Sequence, residues 1–149
     1  MRTKRGIKST TGTRKNKVSI QKFEQEIVTK FLCFLNTVKI YHWKTHSYAT
    51  HKATDELYSK LNDNMDKFVE VLLGKMGNRV DMSKIKSLPI HDFSSLEQMR
   101  KCVVGFKEYL VGLNVNRIMK TMNNSDLYNI RDELLGDLDQ FLYLTTFNG

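Results

Sequence analysis

One proline and two cysteines among 149 residues already exclude several kinds of protein. With Pro89 the only proline, long stretches contain nothing that would interrupt an intrahelical hydrogen-bond ladder. Cys33 and Cys102 both stand among apolar residues and read as two buried thiols, not as a disulfide framework or a zinc site. No apolar run approaches the roughly 18 residues that span a bilayer, and the N-terminus lacks the apolar stretch of a secretory signal. An intracellular protein with no membrane partner is therefore expected. Strand patterning is almost missing, and the chain offers no glycine-rich phosphate loop, no internal repeat and no nucleophile, base and acid triad.

Acidic residues are missing from one place in particular. The opening "MRTKRGIKSTTGTRKNK" carries Arg2, Lys4, Arg5, Lys8, Arg14, Lys15 and Lys17 and no acid, leaving 17 basic against 16 acidic residues beyond it. The net charge of +8 thus belongs almost wholly to this segment. Ile7 is its only large apolar residue after Met1, so it cannot bury enough surface to fold alone. The expected organisation is a disordered basic arm over residues 1–17 ahead of a single domain over 18–149. Such an arm neutralises phosphates and releases counterions, giving DNA affinity that is indifferent to sequence and weakens with salt.

What is present is helical periodicity. Ile20, Phe23, Ile27, Phe31, Leu35, Val38 and His42 recur at steps of three and four, the stripe of one long helix. Leu57, Leu61, Met65, Phe68 and Leu72 repeat the pattern, ending near Gly74 or Gly77. Residues 78–93, with Pro89, form the longest connection. Ser94 with Glu97 makes a capping-box pattern opening a third helix that runs towards Met122. Asn123-Asn124-Ser125-Asp126 breaks it, and Leu127, Ile130, Leu134, Leu138, Phe141 and Leu142 mark a fourth. An all-α four-helix bundle with a long crossover, of the ferritin-like kind, is the expected architecture.

Metal-ligating residue types concentrate at the bend and on the second helix. His51, Asp55, Asn62, Asp66 and Glu70 fall on one face within an arc of roughly 100°. Imidazole and carboxylate together suit iron, manganese or zinc better than calcium or magnesium. Asp55 and Asp66 are 11 residues apart, about 16 Å along the axis at 1.5 Å per residue, too far to serve one metal centre in one copy. Two copies packed antiparallel across a twofold axis bring His51 and Asp55 of one opposite Asp66 and Glu70 of the other, with His42 arriving from the first helix. Trp43 reads as a packing residue and His46 as an exposed bystander.

His42-Trp43, then His51-x-x-x-Asp55, then Asp66-x-x-x-Glu70, together resemble the signature of the Dps family, the starvation-type mini-ferritins. "DLDQFLYL" at 137–144 resembles the end of that family's fourth helix, and the basic arm resembles its DNA-binding extensions. The chain departs from the pattern in a shorter interval between His42 and His51, in Lys44 after the Trp, and in Val71 after the last Glu. The resemblance implies a homododecameric cage, associated with the nucleoid, that binds ferrous iron at dinuclear intersubunit sites. It would oxidise the iron with peroxide or oxygen and store the ferric product, with zinc or manganese as substitute metals. His42, His51, Asp55, Asp66 and Glu70 are then both the metal ligands and the catalytic residues, and Asp126, opening the fourth helix, is a candidate for an iron-entry pore. The competing expectation is a catalytically weak structural or nucleic-acid-packaging derivative, for which the shortened bend speaks.

Overall fold

A computed structural model of the chain describes residues 10–147. Its elements are α1 (Thr10–Lys44), α2 (Tyr48–Met76), α3 (Leu96–Gly112), a 3-10 turn (Leu113–Val115), α4 (Arg117–Lys120) and α5 (Ser125–Leu144), with no strand among the described residues. The all-α expectation holds, and the apolar stripes read from the periodicity supply the core. Phe23, Ile27, Phe31, Leu35 and Val38 of α1, the five stripe residues of α2, and Leu127, Ile130, Leu134, Leu138 and Phe141 of α5 are all buried. Met99, Val103, Phe106 and Leu110 complete it from α3.

Side-chain pairs set the helix directions. Phe31 meets Phe68 edge to face, and His42 stacks on His51, so α1 and α2 run antiparallel. Lys60 reaches Gln140, Asn64 reaches Asp137 and Lys75 reaches Asp126, which makes α2 and α5 antiparallel as well. Phe34 stacks on Phe106 while Lys30 lies over Tyr109, and Arg100 bonds Leu142 while Arg131 bonds Leu110. Each neighbouring pair of long helices is therefore antiparallel, and α2 and α3 are parallel. A parallel pair demands a connection that returns along the whole bundle. Residues 78–94 do so beside α1: Gln25 bonds the Asp81 carbonyl, Cys33 the Pro89 carbonyl, and Lys44 the Asp92 carboxylate.

Three boundaries differ from expectation. α1 begins at Thr10, so residues 10–17 of the expected disordered arm are helical. Extending a helix already nucleated by the Phe23 to Val38 stripe needs no new nucleus, and Arg and Lys are good helix formers. Arg14 and Lys17 are exposed on this extension, whereas Arg2, Lys4, Arg5 and Lys8, and the side chain of Lys15, lie outside the described residues. The cap of α3 is shifted by one: Ser95 accepts from the Gln98 N–H, and Gln98 accepts from the Ser94 N–H, in place of the expected Ser94 and Glu97 pair. Finally, α3 stops at Gly112, well short of Met122, because Asn116 restarts the chain by capping α4 at the N–H groups of Ile118 and Met119.

Candidate metal centre

The bend between α1 and α2 is only Thr45-His46-Ser47, and its brevity determines what the histidines do. Ser47 caps α2 by accepting from the Thr50 N–H at 3.2 Å. The turn brings the last residues of α1 beside the first turn of α2, where the His42 and His51 rings stack with centroids 3.8 Å apart and planes 19° from parallel. His42 Nδ1 lies 2.9 Å from the His51 carbonyl, and His51 Nδ1 lies 2.9 Å from the His42 carbonyl. A carbonyl accepts and cannot donate, so both rings carry a proton at Nδ1. In the neutral rings this leaves both Nε2 lone pairs free, and an Nδ1–H held by a backbone carbonyl is the usual support of a metal-binding imidazole. Thr54 Oγ1, 3.0 Å from His42 Nδ1, adds a second acceptor and is itself tied to the Thr50 and His51 carbonyls.

The carboxylates are differently placed. Asp55 follows His51 by one turn on α2 and is exposed, as are Asp66 and Glu70 further along the helix. None of these three acids takes part in an ion pair among the described residues, although other acids of α2 and α5 do. The structure thus brings His42 and His51 together and leaves Asp66 and Glu70 apart from them. Among the described residues no three His, Cys, Asp or Glu side chains converge well enough to hold a metal ion.

Other expectations change. Trp43 is 71% exposed and does not pack into the bundle; Lys39 Nζ lies 5.6 Å from its ring and 4.6 Å from that of Tyr58. His46 is exposed, as expected. Asp126 pairs with Lys75 at 3.1 Å and accepts from the Leu127 N–H; the Lys75 contact holds its carboxyl below the usual range. That lysine offsets the negative charge a cation-attracting ring would use. Cys33 and Cys102 are free thiols on the wall of one groove of about 260 Å³ between α1 and α3, and burial pushes both thiols up. Periodicity gave no sign of the buried polar groups Glu24, Thr54 and Arg131. Asp137, at the head of the "DLDQFLYL" stretch, is raised mainly by burial and accepts from the Asn64 amide. Among the described residues no helix is long and apolar enough to cross a membrane.

No curated protein and no solved structure matches the chain. The family model that does match covers residues 42–144, more than half of the sequence, and it is not that of the mini-ferritins. The resemblance to the Dps family is thereby overturned: a few ligand-type residues at matching intervals on an amphipathic helix are too small a share of the chain to define descent. The match begins at His42 and takes in His51, the acidic stripe and every later helix, and by it the chain belongs to the family of unknown function DUF5856.

Proposed function

We propose that this chain is a metal-binding helical protein in which His42, His51 and Asp55 of one copy are completed by Asp66 and Glu70 of a second, with ferrous iron as its cargo. The observation that carries the reading is the His pair, two imidazoles with Nδ1 committed to carbonyls, on a helix whose exposed Asp55, Asp66 and Glu70 have no ion-pair partner among the described residues. Unpaired acids on one helical face repel one another, and a cation or a partner's positive field relieves that repulsion. Carboxylates also neutralise the added charge of a ferric ion, while imidazole holds the ferrous ion without adding negative charge. Zinc and manganese suit the same donors.

The connectivity supports a ferritin-like bundle, since antiparallel neighbours and one long crossover belong to that class. The reading needs at least two copies. Oxidation by peroxide balances if each peroxide takes one electron from each of two ferrous ions and two protons, giving two ferric ions and two waters. Residues 1–17, with Arg14 and Lys17 exposed on the α1 extension, would hold a polyanion such as DNA through phosphate neutralisation.

A second reading has its own observation. The reciprocal His42 and His51 bonds also pin the bend, so a purely structural or nucleic-acid-packaging protein would use the same pair. Ferrous titration under air, followed by ultraviolet absorbance of the ferric product, separates the two. Rapid oxidation in the native chain, lost in Asp66→Ala/Glu70→Ala and partly regained on mixing that variant with His51→Ala/Asp55→Ala, supports the metal centre. Absence of iron binding by the native chain refutes it.

A further inference from the structure

Glu24 is fully buried on α1, and it is the only fully buried acid among the described residues. Its Oε2 accepts from the side-chain amide of Asn78 at 3.1 Å, joining α1 to the first residue beyond the Gly77 cap of α2. The other oxygen of each group, Glu24 Oε1 and Asn78 Oδ1, is buried with no hydrogen-bond partner. Both are acceptors, and two unsatisfied acceptors belonging to an already bonded pair are costly unless a proton stands between them.

We propose that Glu24 is held as a neutral carboxylic acid whose Oε1–H donates to Asn78 Oδ1 while Asn78 Nδ2–H donates to Glu24 Oε2, a cyclic acid and amide pair with a buried proton. One proton then satisfies both orphaned oxygens and removes a charge that would otherwise be buried without a counter-ion. Burial pushes the Glu24 carboxyl up, and the Asn78 bond offsets only part of this. Among the described residues no ion pair involves it. Arg79 on the crossover bonds the Asn78 carbonyl and Asp81 is held by Ser83; Lys75 of α2 and Asp126 of α5 pair with one another. On α4, Arg117 and Lys120 are exposed, as are Lys22 and Glu26 on α1.

The folded state binds this proton more strongly than the unfolded chain. Its contribution is therefore fully present below the ordinary carboxyl range and is lost as pH rises through the elevated folded value. Loss of the proton leaves a buried carboxylate against an amide oxygen, and the bond between α1 and the start of the crossover weakens. The pair is a pH-sensitive latch at the end of the bundle away from the histidines.

Glu24→Gln tests it, because the Gln amide donates to Asn78 Oδ1 and accepts from Asn78 Nδ2 with no titrating proton. The native chain should lose thermal midpoint from about pH 5 to about pH 9, and the variant should lose less over the same span. Infrared spectra of the full chain, at about pH 6 where free carboxyls are ionised, should show a protonated-carboxyl carbonyl band that disappears in Glu24→Gln and persists in Asp137→Asn, the other carboxyl that burial raises. Parallel pH profiles, or the absence of that band from the native spectrum, overturn the proposal. If Glu24→Gln fails to fold, the Asp137→Asn spectrum decides the matter: loss of the band there overturns the proposal.

Discussion

The α1 and α2 hairpin is joined by a polar pair near each end, each with one buried and one half-buried member, and the two pairs solve the same problem differently. At the closed end, His42 and His51 each donate to the other's carbonyl, so both Nδ1 atoms are satisfied. At the open end, Glu24 and Asn78 share one bond and leave one oxygen each without a partner. The difference lies in the tether. Three bend residues confine His42 and His51 to one relative position, and backbone carbonyls, which cannot titrate, do the accepting. The open end has no short connection, so its pairing relies on side-chain chemistry that a proton can change. The lesson is that a short turn fixes which groups meet and lets backbone carbonyls serve as acceptors, while a contact between distant segments of chain rests on the chemistry of its side chains alone.

Substitutions at the two ends break this comparison in order of severity. His42→Ala removes a ring that is 8% exposed together with its bonds to His51 and Thr54, and should cost about 2–4 kcal/mol in urea unfolding through a cavity and orphaned acceptors. A cost under about 0.5 kcal/mol would mean the bend, and not the rings, holds that end together. Glu24→Leu fills the space but strands both polar atoms of the Asn78 side chain; a loss of about 1–3 kcal/mol is expected, read by the same denaturation. Because the native carboxyl contributes less as pH rises, that loss should shrink at alkaline pH. Gly77→Ala acts beside the same pair through the backbone alone. Gly77 has φ 68° and nothing within 4 Å of an added Cβ, so the penalty is conformational, about 1 kcal/mol. Trp43→Ser should leave monomer stability within about 0.5 kcal/mol, since the ring is mostly exposed. If a second copy covers the histidine end, light scattering should instead show weakened self-association in that variant.

Legibility in the sequence followed physical range. The stripes from Phe23 to Val38, Leu57 to Leu72 and Leu127 to Phe141 are set by neighbours three and four residues away, and each is buried as its period requires. Boundaries were less legible because caps compete. Ser94 and Ser95 both have the chemistry, and the one that wins is decided by Gln98 reaching back to Ser94. Trp43 shows the same limit: a large aromatic beside a buried His reads as core, yet it follows His42 on the helix and faces out, over Lys39. The candidate site was legible as a set of residue types on one face. Its actual contact, ring against ring with each Nδ1 on the other's carbonyl, was not, because a pattern of intervals carries no angle between two helices.

The sequence by itself determined that this protein is helical, which faces of its helices are buried, where its charge is concentrated, and that Asp55 and Asp66 cannot serve one centre within one copy. Those properties depend on 1.5 Å of rise and 100° of turn per residue, which any helix-forming sequence carries with it. Only the tertiary structure decided that His42 and His51 share a tautomer, that Asp126 is paired to Lys75, and that Glu24 meets Asn78 54 positions away with two oxygens unsatisfied. Each of these joins groups on different elements, and the free energy of a buried polar group depends on which partner the fold brings within hydrogen-bonding distance.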